Sequence, residues 1–332
     1  MHVLTRMNRR LAMAGAVATA LSLGSAAVGQ LNPDRLYYGI KRPAPMTVAV
    51  PAGAAGTVEV HLLEPGTAKV LEKATVAAGS IDLASAFPSL WTNPSPRLVY
   101  AQLVVGEVKV GPAVVLQPLL TPVYAPALDR GQNPAFNPAQ SRVYSGLRAY
   151  VDKQVVLDTS MGEIKLALRP EVAPNSAYNF RHLVENGFYT DVIFHRIVAT
   201  NPMGHGFVIQ VGDPTGMGSG GPGYYIDLEP STLPHDFGVL SMARSGDPNT
   251  NGSQVFICLS REGTRMLDGK YTTFGQAVSG ADVIQALWVV PVGAQDRPIE
   301  PPSIKAARLE EAPPYGEGPA AVTAPGAAPP ER

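Results

Sequence analysis

The residues able to do chemistry gather in five runs in the second half of the chain. They are Phe194-His195-Arg196-Ile197-Val198, Gly206 to Asp213, Leu240 to Ala243, Asn249 to Ile257, and Leu267 to Tyr271. Arg196 stands there among apolar, aromatic and amide side chains. Its guanidinium is charged at any working pH and points several N–H groups at once. It could donate to a bound ligand, or pair with a carboxylate as many strand arginines do. His182, His195, His205 and Cys258 lack the spacing of metal ligands, so no metal and no cofactor is expected. His195 reads as a hydrogen-bonded structural histidine. Gly216 to Gly221 satisfies G-x-G-x-x-G, but Pro222-Gly223 follows at once and forbids the helix a dinucleotide site needs. Asn251-Gly252-Ser253 is a formal glycosylation sequon that reads as incidental.

The elements that must hold these runs are short. Gly (33) and Pro (32) make up about a fifth of the 332 residues, which argues against a helical bundle. No Gly-X-Y period points to collagen. With 26 basic against 27 acidic residues, nucleic-acid binding has no support. Residues 36–120 hold Val-rich, partly alternating stretches at Met46–Val50, Val58–Leu63, Leu98–Val105 and Glu107–Leu116, parted by Pro/Gly turns. A small β-sandwich is expected there, acting as a binding or spacer module, with His61 as an exposed strand residue. The Pro- and Gly-bearing stretch 121–149 reads as a linker. Beyond it, Ser160-Met161-Gly162 predicts a hairpin, and helices are predicted at Pro174–Asn186 and Asp282–Trp288.

In order and spacing the five runs resemble the cyclophilin family of peptidyl-prolyl cis-trans isomerases. The resemblance covers about 153–310 and includes Ala173-Pro174-Asn175. It implies a mainly β fold, a closed eight-stranded antiparallel barrel with two helices, over 150–311. It also implies proline-containing polypeptides as substrates, with no metal or nucleic acid. An X–Pro bond isomerises through a twisted amide whose nitrogen loses resonance, over about 18–20 kcal/mol. Such a reaction needs a donor to that nitrogen, an apolar socket and grips on the peptide, but no nucleophile. By resemblance Arg196 is the catalytic donor. Phe207, Val208, Phe256, Met266, Leu267 and Tyr271 form the proline pocket, while Ile209 and Ile257 alternate into the core. Gln210 grips the substrate backbone. Ala243 and Arg244 line the peptide path, the latter through its backbone, and Gln254 lies near the site.

Several positions depart from the family pattern. Ala199–His205 is about six residues longer than usual, which could reshape substrate access. Met266 replaces a common aromatic, implying weak cyclosporin sensitivity. Tyr271 replaces a histidine and looks like bacterial members. Val208 replaces a methionine. A non-catalytic peptide-binding or chaperone module on the same scaffold stays open as the alternative, since fold alone does not fix function.

The chain ends add two expectations. Arg6, Arg9 and Arg10, an apolar run from Leu11, and small Ala27 and Gly29 suggest a signal peptide over 1–29, Sec-type rather than twin-arginine. A periplasmic or secreted location follows from that pattern, with an uncleaved membrane anchor as the alternative; separately, a monomer is expected. Residues 312–332, rich in Pro, Ala and Gly, are expected to be a disordered tail. Cys258 has no disulfide partner, and its neighbours suggest that it is buried.

Overall fold

The structure is a computed structural model. It describes residues 29–122, 125, 127–136 and 142–325. The expected signal segment, Gly29 apart, lies outside the described residues.

The first half forms β1 (Gln30–Pro33), β2 (Tyr37–Gly39), β3 (Pro45–Ala49), β4 (Val58–Leu63), β5 (Val70–Thr75), β6 (Gly79–Asp82), β7 (Val99–Val105), β8 (Val108–Leu120) and β9 (Tyr144–Val151). These build a three-stranded sheet, β1-β3-β6, and a six-stranded one, β2-β9-β8-β7-β4-β5. Alternation along β3 turns Met46 and Val48 inward, where they meet Val60, Leu103, Val114 and Leu147 of the larger sheet. β7 is buried along its whole length. Its other face, with Tyr100, is covered too, so this central strand is apolar on both faces except at Gln102, whose amide donates to the Leu103, Val110 and Gly111 carbonyls. His61 is half-buried and bonded to Glu59 at 2.8 Å, not freely exposed.

The predicted linker is partly sheet. β9 pairs with β8 from Val151 opposite Val114 to Tyr144 opposite Leu120. Gly146 is not a breaker there. At φ 151° it lets β9 pass so close to β2 that a Cβ would sit 2.1 Å from the Tyr38 carbonyl oxygen.

The second half forms β10 (Lys153–Thr159), β11 (Gly162–Leu168), β12 (Val192–Ile193), β13 (Arg196–Thr200), β14 (Gly206–Val211), β15 (Val239–Met242), β16 (Val255–Cys258), β17 (Thr273–Ser279) and β18 (Ser303–Glu311). They make one curled antiparallel sheet, β12-β18-β10-β11-β17-β15-β16-β14-β13. The expected closed eight-stranded barrel is corrected to nine strands. β12 and β13 end the sheet, and the chain joins these edges through Phe194-His195, with no ladder between them among the described residues.

The helix α1 (Pro174–Glu185) starts at Pro174, whose missing N–H costs nothing there. Glu229 accepts from the backbone N–H groups of Asn175 (3.0 Å) and Ser176 (2.7 Å) and so caps that end. Ala177, Phe180 and Val184 pack into the sheet's core with Leu166, Ile209 and Phe274. Tyr178 faces away, stacking 4.0 Å under the Arg148 guanidinium of β9. A second helix, α2 (Ala281–Trp288), buries Val283, Ile284 and Leu287.

Residues 312–325 are not a loose tail. They form a strap across both halves. Tyr315 stacks on Tyr100 at 3.7 Å, and its hydroxyl accepts from the Gly66 N–H at 2.8 Å. Its N–H donates to Gln102 (3.0 Å), while Lys109 donates to its carbonyl (2.7 Å). Further on, Val322 N–H donates to the Ala277 carbonyl of β17 at 2.9 Å. Aromatic stacking and these bonds offset the ordering cost that composition alone suggested was too high.

Beneath the strap lies a cavity of about 340 Å³, lined by Tyr100, Asp152, Arg169, Glu171 and Tyr315 among others. Burial, helped by the Glu171 charge, pushes the Asp152 carboxyl up to about 7. Its folded value exceeds the unfolded one, so ionisation opposes folding and stability falls as pH rises from about 4 to 7. Asp152→Asn is expected to match the parent near pH 4 and to exceed it at pH 8 by up to about 4 kcal/mol. Urea unfolding at the two pH values measures this. An equal offset at both would refute it.

Candidate active site

The curled sheet has an inner face and an outer face, and strand alternation sorts the candidate residues between them. Ile197, Ile209, Val211, Val255 and Ile257 point into the core. Val198, Val208, Phe256 and Cys258 form a separate outer cluster with Val239 and Ala243, flanked by Phe207, Leu233, Leu267 and Tyr271. Register then aligns the polar groups. Arg196 lies opposite Gln210, Gln210 opposite Phe256, and Phe256 opposite Ser241. A donor, an amide and an aromatic ring thus share one row across adjacent strands, with same-face side chains about 5 Å apart from strand to strand.

Phe256 is the floor of the apolar cluster. Tyr271 meets it edge-on at 5.8 Å and His235 stacks on it at 6.0 Å. His235 is fixed from both sides: Asp268 sits 2.9 Å from its Nδ1 and Ser241 Oγ 3.1 Å from its Nε2. Burial holds its pKa below the ordinary histidine value, against the pull of Asp268. Neither His235 nor the role of Asp268 was foreseen, because the pairing spans 33 residues. Met266 stands apart from the cluster, 45% exposed on a short turn. Cys258 is fully buried, and burial pushes its thiol well up, so it is no nucleophile.

Gln210 donates to Gln254 Oε1 at 2.8 Å, and the Gln254 amide donates in turn to the Gly218 and Gly220 carbonyls (3.0 and 2.9 Å). Gln254 is therefore a tie between the row and the glycine-rich loop. Asp213 organises that loop from below, accepting from the N–H and hydroxyl of Thr215 and from the Gly218 N–H. The backbone amides of Thr215, Gly218 and Gly220 hold its carboxyl near 2, against the opposing effect of burial. Amides that a phosphate would need are taken by this carboxylate, a second reason against a dinucleotide site.

Arg244 braces two loops. Its guanidinium donates to the carbonyls of Ser245 (2.9 Å) and Lys270 (3.1 Å) and sits 4.5 Å over the Tyr271 ring. The resemblance implied only a backbone role for it. A cavity of about 640 Å³ opens between Gln210, the glycine loop, Ala243–Ser245 and Gln254. The long Ala199–His205 segment extends the β13–β14 hairpin at the end away from Arg196. Asn201 closes it by accepting from Met203 and His205 N–H, and Trp288 of α2 donates to its Ala199 carbonyl at 2.8 Å. It is a packed hairpin tip beside α2.

Two details differ from expectation. His195 is buried, yet neither ring nitrogen has a hydrogen-bond partner. Arg196, 43% exposed, meets Asp296 Oδ2 at 3.2 Å through Nη2, so the carboxylate pairing left open by the sequence is present. One such bond leaves other N–H groups of the guanidinium for a ligand. Among the described residues no group of three or more His, Cys, Asp or Glu could hold a metal ion.

The outer row thus sets the partly exposed Arg196 guanidinium in line with an apolar cluster built around Phe256. The family model for cyclophilin type peptidyl-prolyl cis-trans isomerase/CLD matches residues 154–309. Peptidyl-prolyl cis-trans isomerase-like 1 of Aspergillus fumigatus is 44% identical over 162 residues, covering 47% of this chain and 95% of that protein. Peptidyl-prolyl cis-trans isomerase ppi1 of Schizosaccharomyces pombe is 45% identical over 152 residues, covering 44% of this chain and 92% of that protein. A solved cyclophilin type peptidyl-prolyl cis-trans isomerase of Cryptosporidium parvum is 37% identical, with a TM-score of 0.43, covering 47% of this chain and 98% of that one. The chain belongs to the cyclophilin type peptidyl-prolyl cis-trans isomerase family. The curated relatives named here are fungal, which overturns the expected bacterial, periplasmic or secreted placement and its membrane-anchored variant. No helix among the described residues is long and apolar enough to cross a membrane.

Proposed function

We propose that this chain catalyses cis-trans isomerisation of X–Pro bonds in polypeptides through the outer row of the curled sheet. The observation that carries this is the alignment of Arg196, Gln210 and Phe256 on adjacent strands. The proline ring enters the apolar cluster of Phe207, Val208, Phe256, Leu267 and Tyr271, with Met266 exposed on the turn that ends at Leu267. Gln210 holds the substrate backbone, and Ala243 and Arg244 line its path toward the larger cavity. As the amide twists, its nitrogen becomes pyramidal and gains a lone pair. An Arg196 N–H donates to that lone pair more strongly than to the planar ground state, and only such a difference lowers the barrier. Each 1.4 kcal/mol of difference gives about a tenfold rate. No bond is broken, so the buried Cys258 and the histidines have no covalent role.

Residues 154–309 carry the reaction in this proposal, and the double-sheet unit of 30–151 with the strap supports them. Exchange spectroscopy by NMR on an Ala-Pro-Phe peptide tests it. Cis-trans exchange is expected to quicken in proportion to added protein. Peptide binding without acceleration would instead support the non-catalytic alternative.

A further inference from the structure

We propose that Asp296 is a positioning residue for Arg196, part of a closed ring of contacts that aims the guanidinium into the groove. The inference rests on the isomerase function proposed above and names a group within it.

Arg196 lies on β13, the edge strand of the curled sheet, with its side chain 43% exposed. A partly exposed guanidinium on a long flexible stem loses several rotamers' worth of entropy when held in one direction. Asp296 supplies that direction. Its Oδ2 accepts from Nη2 at 3.2 Å, one terminal nitrogen of a planar fork, and so orients the rest of the fork.

The backbone presents Asp296 in an unusual way. Gln295 and Asp296 both adopt left-handed conformations, φ 59° and 58°. L-residues avoid this region, and two in succession persist only where surroundings over-determine them. Gly293 N–H donates to the Arg297 carbonyl at 2.8 Å, and Val292 bridges to Pro298. Arg297 Nη1 donates to the Gly216 carbonyl at 2.6 Å. That carbonyl belongs to the glycine loop that Asp213 organises and Gln254 grips. The ring is then complete. It runs from Arg196 to its register partner Gln210, through Gln254 and the glycine loop to Arg297, and through Asp296 back to Arg196.

The pair itself contributes little to folding. Asp296 is 41% exposed, and ion pairs between exposed groups add little to stability. A strained turn that delivers one carboxylate to one catalytic side chain is better explained by orientation than by stability.

The test uses the full chain with Asp296→Ala and Asp296→Asn, measuring kcat and KM by NMR exchange, thermal midpoints, and the order of the Arg196 Nε–Hε group by 15N relaxation. Asp296→Ala is expected to lower kcat about 5- to 20-fold with KM within about twofold. Its midpoint should match the parent, and the Arg196 group should become disordered. Asp296→Asn, which keeps an acceptor oxygen, should restore most of kcat and the order. A kcat in Asp296→Ala within twofold of the parent, or an Arg196 group as ordered as before, overturns the proposal. So does a gain in kcat, which would make Asp296 a competitor of the substrate. The proposed isomerase activity fails separately, if the parent itself does not accelerate exchange; the relaxation measurement still decides the role of Asp296.

Discussion

Arg196→Ala is expected to lower kcat/KM for X–Pro exchange by two to three orders of magnitude, equivalent to about 2.7–4 kcal/mol of transition-state stabilisation. The neighbours of Arg196 on the row do not replace it. Gln210 is uncharged and already donates one amide N–H to Gln254, and Phe256 has no donor. The loss should fall on kcat rather than on binding, since Phe256, Tyr271 and Leu267 still form the socket. Folding should be unaffected, because the guanidinium is partly exposed and its ion pair lies at the surface. Arg196→Lys keeps the charge but loses the planar fork, so its activity should fall between the two. A thermal midpoint near the parent's with kcat/KM reduced less than fivefold would show that another group carries the reaction.

Tyr315→Ala is expected to cost about 2–3 kcal/mol of stability, from the buried ring area and its stack on Tyr100. The ring lies 3.7 Å from Tyr100 with 19° between the planes. The backbone bonds of residue 315 to Gln102 and Lys109 survive the substitution, so the measured loss belongs to the side chain. Guanidinium unfolding of parent and variant reads it directly. A change under about 0.5 kcal/mol would mean that the strap adds nothing to the joint between the two halves.

Local pattern made much of this molecule legible. The stretch Val58–Leu63 is strand β4 as read, and the helix read from Pro174 ends one residue short of Asn186. Alternation placed Ile209 and Ile257 in the core and Val208 and Phe256 outside it, and motif order gave the catalytic half its family. What escaped the sequence depends on contacts between distant segments. β9 was hidden because Gly146, a close-approach glycine, looks like a linker residue when its neighbour strand is unknown. The strap was hidden because Pro and Gly dominate its composition, and a single tyrosine with a preformed partner outweighs them. His235 and Asp296 lie outside the five runs, and each gains its place only when a turn brings it beneath or beside the row. The side-chain brace of Arg244 likewise needs Lys270, 26 residues away.

The strap also bears on how the chain is made. Its bonds reach back 213 residues to Gln102 and 249 to Gly66. During synthesis from the N-terminus, the first double sheet leaves the ribosome long before Tyr315 exists. At about 5–20 residues per second, the outer side of Tyr100 stays wet for roughly ten seconds or more. The early sheet is thus completed by residues translated more than 200 positions later, and a nascent chain stalled before Tyr315 would display an aromatic face that the folded protein hides.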